Sequence, residues 1–77
     1  MSDVEQKVHE IWCNVLHCSE SEATAKNFFE AGGNSLNASL IIARAEDEFH
    51  CELSFHDIYN CKTARGLAII VTEKLAR

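Results

Sequence analysis

Ser35 follows Gly32, Gly33 and Asn34 and precedes Leu36, in a 77-residue chain with three glycines and no proline. Two glycines ahead of a serine free the backbone to turn sharply and let another molecule approach closely. Asn34 is a favoured helix N-cap, and if it caps, Ser35 falls in the first helical turn with its hydroxyl free. The unpaired amides and positive dipole end of that helix would favour a phosphate attached at Ser35. If Ser35 is itself the cap, the glycines form an ordinary turn and the hydroxyl is occupied.

Other chemistry at these residue types fits less well. Gly33-Asn34-Ser35-Leu36-Asn37 approaches a nucleophile elbow, but Asn37 stands where G-x-S-x-G needs its second glycine. His56 and Asp57 could complete a triad with Ser35, yet they are neighbours in one short turn. The glycines match neither a phosphate loop nor G-x-G-x-x-G. His9, Cys13 and His17 recur at i, i+4 and i+8 with Cys18 beside them. A structural zinc would draw its remaining ligands from a second element, and nothing places Cys51 or Cys61 there. The expectation is no catalytic residue and no metal.

The elements that must position Ser35 are helical. Val4, Val8, Ile11, Trp12, Val15 and Leu16 recur at helical spacing, and Ser2 with Glu5 makes a capping-box pattern ahead of them. This predicts a helix of about four turns ending near His17. A long polar connection follows, "CSESEATAKN", and the adjacent Phe28 and Phe29 are expected to pin its end to the core. From Ser35 to about His50, Ala38, Ile41, Ile42, Ala45 and Phe49 form one apolar stripe. Leu36, Leu40 and Ala43 form a second, rotated away from it. Either this helix is enclosed, or the second stripe is an exposed docking strip beside Ser35. Glu46, Asp47 and Glu48 read as a solvated face. Ser54 and Asp57 repeat the capping-box pattern before a short turn, Phe55 to Tyr59, with Phe55, Ile58 and Tyr59 expected inward. Thr63 caps a last helix with the face Ala64, Leu67, Ala68, Val71 and Leu75. Gly66 near its start weakens that helix, and the pattern offers no reason for it. The expected architecture is all-α, a four-helix bundle with a short third helix, in a single domain over residues 1–77.

Composition bounds the partners. Lys plus Arg number 7 and Asp plus Glu 12, for a net charge of −5, which argues against nucleic acid and anionic membranes. No apolar run approaches membrane-spanning length. The four cysteines form no CxxC pair and the N-terminus has no apolar signal-peptide core, so reduced thiols in a cytoplasmic protein are expected.

The stretch "NFFEAGGNSLNASLIIARAEDEF" resembles the carrier-domain signature of nonribosomal peptide synthetases, in which an FFE-x-GG-x-SL block holds the modified serine. "CELSFHDIYNCKTARGLA" resembles that family's later half, and the likeness runs from Val4 to Leu75. The resemblance implies a peptidyl or aminoacyl carrier of the acyl-carrier-like fold, non-catalytic and monomeric. Ser35 would take a 4′-phosphopantetheine arm from coenzyme A, with Gly33 and Asn34 forming the attachment loop and a phosphopantetheinyl transferase installing the arm. Its thiol would hold an amino acid or peptide as a thioester for adenylation, condensation and other tailoring or release enzymes. Leu36, Leu40 and Ala43 would offer those partners an apolar contact. Asn34 replaces the His or Asp common before the serine, Lys26 stands where an acid often does, and Ser54 and Lys62 take positions often held by proline. An acyl carrier for fatty-acid or polyketide synthesis, or a helical interaction module without an arm, are the alternative readings. The cargo is not written in the sequence, because the loading enzyme selects it.

Overall fold

The computed structural model describes residues 3–76, so the capping-box pattern opened by Ser2 lies outside the described residues. Five helices follow in order: α1 (Asp3–Leu16), α2 (Glu20–Ala25), α3 (Ser35–Phe49), α4 (Phe55–Cys61) and α5 (Ala64–Leu75). No strand occurs among the described residues. Helices α1, α3, α4 and α5 are the expected bundle, with α4 the short member. The six-residue α2 is an addition inside the polar connection. Its cause is local: the Ser19 hydroxyl accepts from the Glu22 amide, and the Glu22 carboxylate accepts from the Ser19 amide. Ala23, buried to 1% exposure, anchors α2 against the core.

The core forms where the helical stripes converge. Val8, Trp12, Val15 and Leu16 of α1 meet Ala38, Ile41 and Ala45 of α3, Ile58 of α4, and Ala64, Leu67, Ala68 and Val71 of α5. Helix α1 packs against both α5 and α3. Trp12 is fully buried and meets the Phe28 ring edge-to-face, with centroids 5.7 Å apart. Its indole Nε1 has no hydrogen-bond acceptor among the described residues. That omission costs about 1–3 kcal/mol, which burial of the whole ring must exceed.

Three expected inward residues face out: Phe29, Phe55 and Leu75 are 55%, 46% and 46% exposed. With Phe28 filling the space beside Trp12, no room remains for Phe29. Ile58 plays the same part in α4 and leaves Phe55 outside. The acidic triplet also divides. Asp47 and Glu48 are solvated, but the Glu46 carboxylate accepts from the Leu53 amide at 2.9 Å and fastens the α3–α4 connection. The expected caps hold at Ser54 and Thr63, and Asp57 adds an ion pair with Lys74 at 3.6 Å, tying α4 to α5.

Gly66 has its reason in the α4–α5 corner. A Cβ there would lie 2.5 Å from the carbonyl oxygen of Cys61, so only glycine lets α5 start this close to the end of α4. Gly66→Ala should therefore lower stability by about 1–3 kcal/mol although alanine is the better helix former. Denaturant unfolding checks this, and an unchanged or raised midpoint would refute the packing argument.

Candidate functional site

The segment leading to Ser35 is a tightly self-bonded turn. The Asn27 amide donates to Glu30 Oε1 at 2.9 Å, and the Glu30 amide returns the bond to Asn27 Oδ1 at 2.8 Å. The amides of Ala31, Gly32 and Gly33 then donate to the carbonyls of Asn27, Phe29 and Phe28. Gly32 adopts a φ of 88°, which L side chains rarely take. Gly33 lies directly on Phe28, where a Cβ would come within 2.6 Å of both the ring and the Phe28 carbonyl oxygen. The second glycine thus serves a close approach within the chain. Phe28 is itself wholly buried, and its amide donates to the Lys62 carbonyl at the α4–α5 corner. The turn that presents Ser35 is consequently nailed to the core at one ring.

The capping question resolves in favour of Asn34. Its Oδ1 accepts from the Asn37 amide at 3.0 Å, and Asn37 Oδ1 accepts from the Asn34 amide at 3.2 Å. Ser35 is the first residue of α3, exposed, and its hydroxyl enters no hydrogen bond among the described residues. Helices α1, α2 and α4 carry acids in their first turns, whereas α3 carries none. The helix end beside Ser35 is left positive, with no acid in the first turn of α3 to offset the dipole. A phosphodiester on this hydroxyl fits these residues: the oxygen is accessible, the cap is supplied by another side chain, and the field has the right sign.

Leu36 and Leu40 are 68% and 41% exposed and Ala43 is exposed with them, so the second stripe of α3 is free surface running away from Ser35. A further apolar feature was not legible in the periodicity. Phe29 stacks on Tyr59 at 5.7 Å and 25°, and Tyr59 meets Phe55 at 6.2 Å. Through the Phe28–Phe29 contact at 5.4 Å, this aromatic ladder is continuous with the ring under Gly33. Only the "FF" pair hinted at it, since one of two adjacent aromatics must face away from a single core ring.

Two residues singled out for other chemistries, Asp57 and His9, are engaged elsewhere. Asp57 is committed to the Ser54 amide and to Lys74, and no described side chain contacts Ser35 as a base. His9 is buried and its Nδ1 pairs with the Glu5 carbonyl at 2.8 Å. Among the described residues no group of three or more His, Cys, Asp or Glu could hold a metal ion.

Comparison with known proteins places the chain in a family. Residues 6–71 match the family model described as "Phosphopantetheine attachment site". The chain is 38% identical over 72 residues to gramicidin S synthase 2 of Brevibacillus brevis, covering 94% of this chain and 2% of that protein. It is 38% identical over 76 residues to the phosphinothricin tripeptide synthetase PhsC of Streptomyces viridochromogenes, covering 99% of this chain and 7% of the relative. To the nonribosomal peptide synthetase ecdA of Aspergillus rugulosus it is 36% identical over 72 residues, covering 92% of this chain and 1% of the relative. The chain therefore spans only a small fraction of the length of these curated relatives. With two-thirds or more of its length so matched on an all-helical bundle, the chain belongs to the phosphopantetheine-attachment family of carrier domains, whose members carry covalently attached 4′-phosphopantetheine.

Proposed function

We propose that residues 1–77 act as a single peptidyl carrier domain in nonribosomal peptide-type biosynthesis, with Ser35 as the attachment point. The observation that carries this is the division of labour at the start of α3: Asn34 takes the cap and leaves an exposed, unbonded serine hydroxyl in a first turn free of acids. The arm, when attached, supplies a terminal thiol that holds an aminoacyl or peptidyl group as a thioester. The domain's own part is to hold the serine outward on a rigid turn and to offer a surface beside it. It catalyses nothing and serves a phosphopantetheinyl transferase, adenylation and condensation domains, and other tailoring or release enzymes in turn. It acts as a monomer in the cytoplasm; no described helix is long and apolar enough to cross a membrane. The test is mass measurement after incubating the apo protein with coenzyme A and a broad-specificity transferase. A gain of one phosphopantetheine mass is expected, and a folded protein that gains nothing would overturn the reading.

Leu36, Leu40 and Ala43 are the partner contact in this proposal. A strip this small gives weak docking, which suits a shuttle that must release each partner. Leu36→Ala and Leu40→Ala should slow loading by the partner enzyme while changing stability by less than about 1 kcal/mol, because neither side chain is buried. A loss on the order of 2 kcal/mol or more would mark them as core instead.

A further inference from the structure

None of the four cysteines belongs to the attachment turn, but two are brought together by the way α1 ends. After Leu16, His17 takes a left-handed conformation with φ 54°, and the Cys18 amide donates back to the Cys13 carbonyl at 3.2 Å. This is the long bond of a Schellman closure, which packs the residue after the left-handed one against the residue five positions earlier. That contact is ordinarily a pair of apolar side chains. Here both positions are cysteine, and the closure sets the two side by side at the edge of the core. Both are free thiols, partly exposed and packed at the edge of the core. A disulfide needs close Cα atoms and facing side chains; the backbone bond draws the two residues together, and the side-chain contact that accompanies this closure turns them toward each other. Neither Cys51 nor Cys61 has this arrangement: the Cys61 thiol donates to the Ile58 carbonyl within its own helix.

We propose that Cys13 and Cys18 are a reversible dithiol–disulfide site, a redox clasp at the corner between α1 and α2, with a small disulfide of the glutathione class as its oxidant. Each thiol gives up its proton and the pair gives up two electrons as one S–S bond forms. The S–S bond of the small disulfide breaks, and its two sulfurs leave as thiols carrying those protons. Closure fixes the start of the connection that runs through α2 to the turn before Ser35. Burial, reinforced by Cys18 and Glu20, pushes the Cys13 thiol up to about 11, which keeps Cys13 protonated near neutral pH and makes its exchange slow.

The test uses wild-type protein. Folded protein is equilibrated with oxidised glutathione, then denatured, alkylated, digested with trypsin and weighed. Lys7 and Lys26 bracket one peptide, residues 8–26, holding Cys13 and Cys18; Arg44 and Lys62 bracket another, residues 45–62, holding Cys51 and Cys61. The first should be lighter by two hydrogens and refuse alkylation, while the second takes up two alkyl groups. The melting temperature of the oxidised protein should rise, and dithiothreitol should reverse both changes. Alkylation of Cys13 and Cys18 to the same extent as the other pair overturns the proposal. So does capture of glutathione on either thiol without closure.

Discussion

Ser35→Ala is expected to fold as the wild type does and to gain no mass from coenzyme A and a transferase. The substitution removes only Oγ, which makes no hydrogen bond with the described residues, from an exposed position. The cap on α3 belongs to Asn34 and survives, and alanine is the better helix former at that position. Stability should therefore change by less than about 0.5 kcal/mol, while modification falls to nothing. Intact-protein mass and a thermal melt on the same sample separate the two quantities. A variant that still gains the arm would move the attachment to another hydroxyl. A variant that unfolds would mean that Ser35, not Asn34, holds the helix end.

Phe28→Ala should have the largest effect on stability. The ring is fully buried and touches Trp12, Phe29 and Tyr59, and Gly33 rests directly on it. Removing it empties the space under the turn and should cost about 3–5 kcal/mol. That is a large part of the stability of a domain this small, and the melting temperature should fall by roughly 12–40 °C. Transferase modification should suffer as well, since the turn before Ser35 loses its support. Denaturant unfolding checks the magnitude. A loss under about 1 kcal/mol would show that the hydrogen bonds of the turn hold it without the ring. Phe29→Ala is the control: at 55% exposure it should cost far less.

The two aromatics show where sequence reasoning stops. Both are apolar and adjacent, and nothing in their spacing says which one Trp12 will receive. The same limit applies to Phe55 beside Ile58, and to Leu36 and Leu40, whose stripe could have been buried or exposed on periodicity alone. Glu46 looked like one of three solvated acids because its partner, the Leu53 amide, lies seven residues on in a connection without periodicity. Helix α2 was legible in principle, as Ser19 and Glu22 have capping-box spacing, but six residues are too few for a periodic stripe to announce them.

What the sequence determined by itself is whatever depends on near neighbours along the chain. Ser54 and Thr63 cap because their side chains reach amides three residues away, and the long helices follow from apolar residues at helical spacing. The "FFEAGGNSL" block likewise pointed, by resemblance alone, to Ser35 as the proposed attachment residue. Tertiary structure decided what depends on segments meeting across the bundle. It set Gly33 on Phe28, Gly66 on the end of α4, and Phe29 outside on Tyr59. The physical reason is that close packing admits one ring or one bare Cα at a given place, and which residue fills it depends on surfaces far away in the chain.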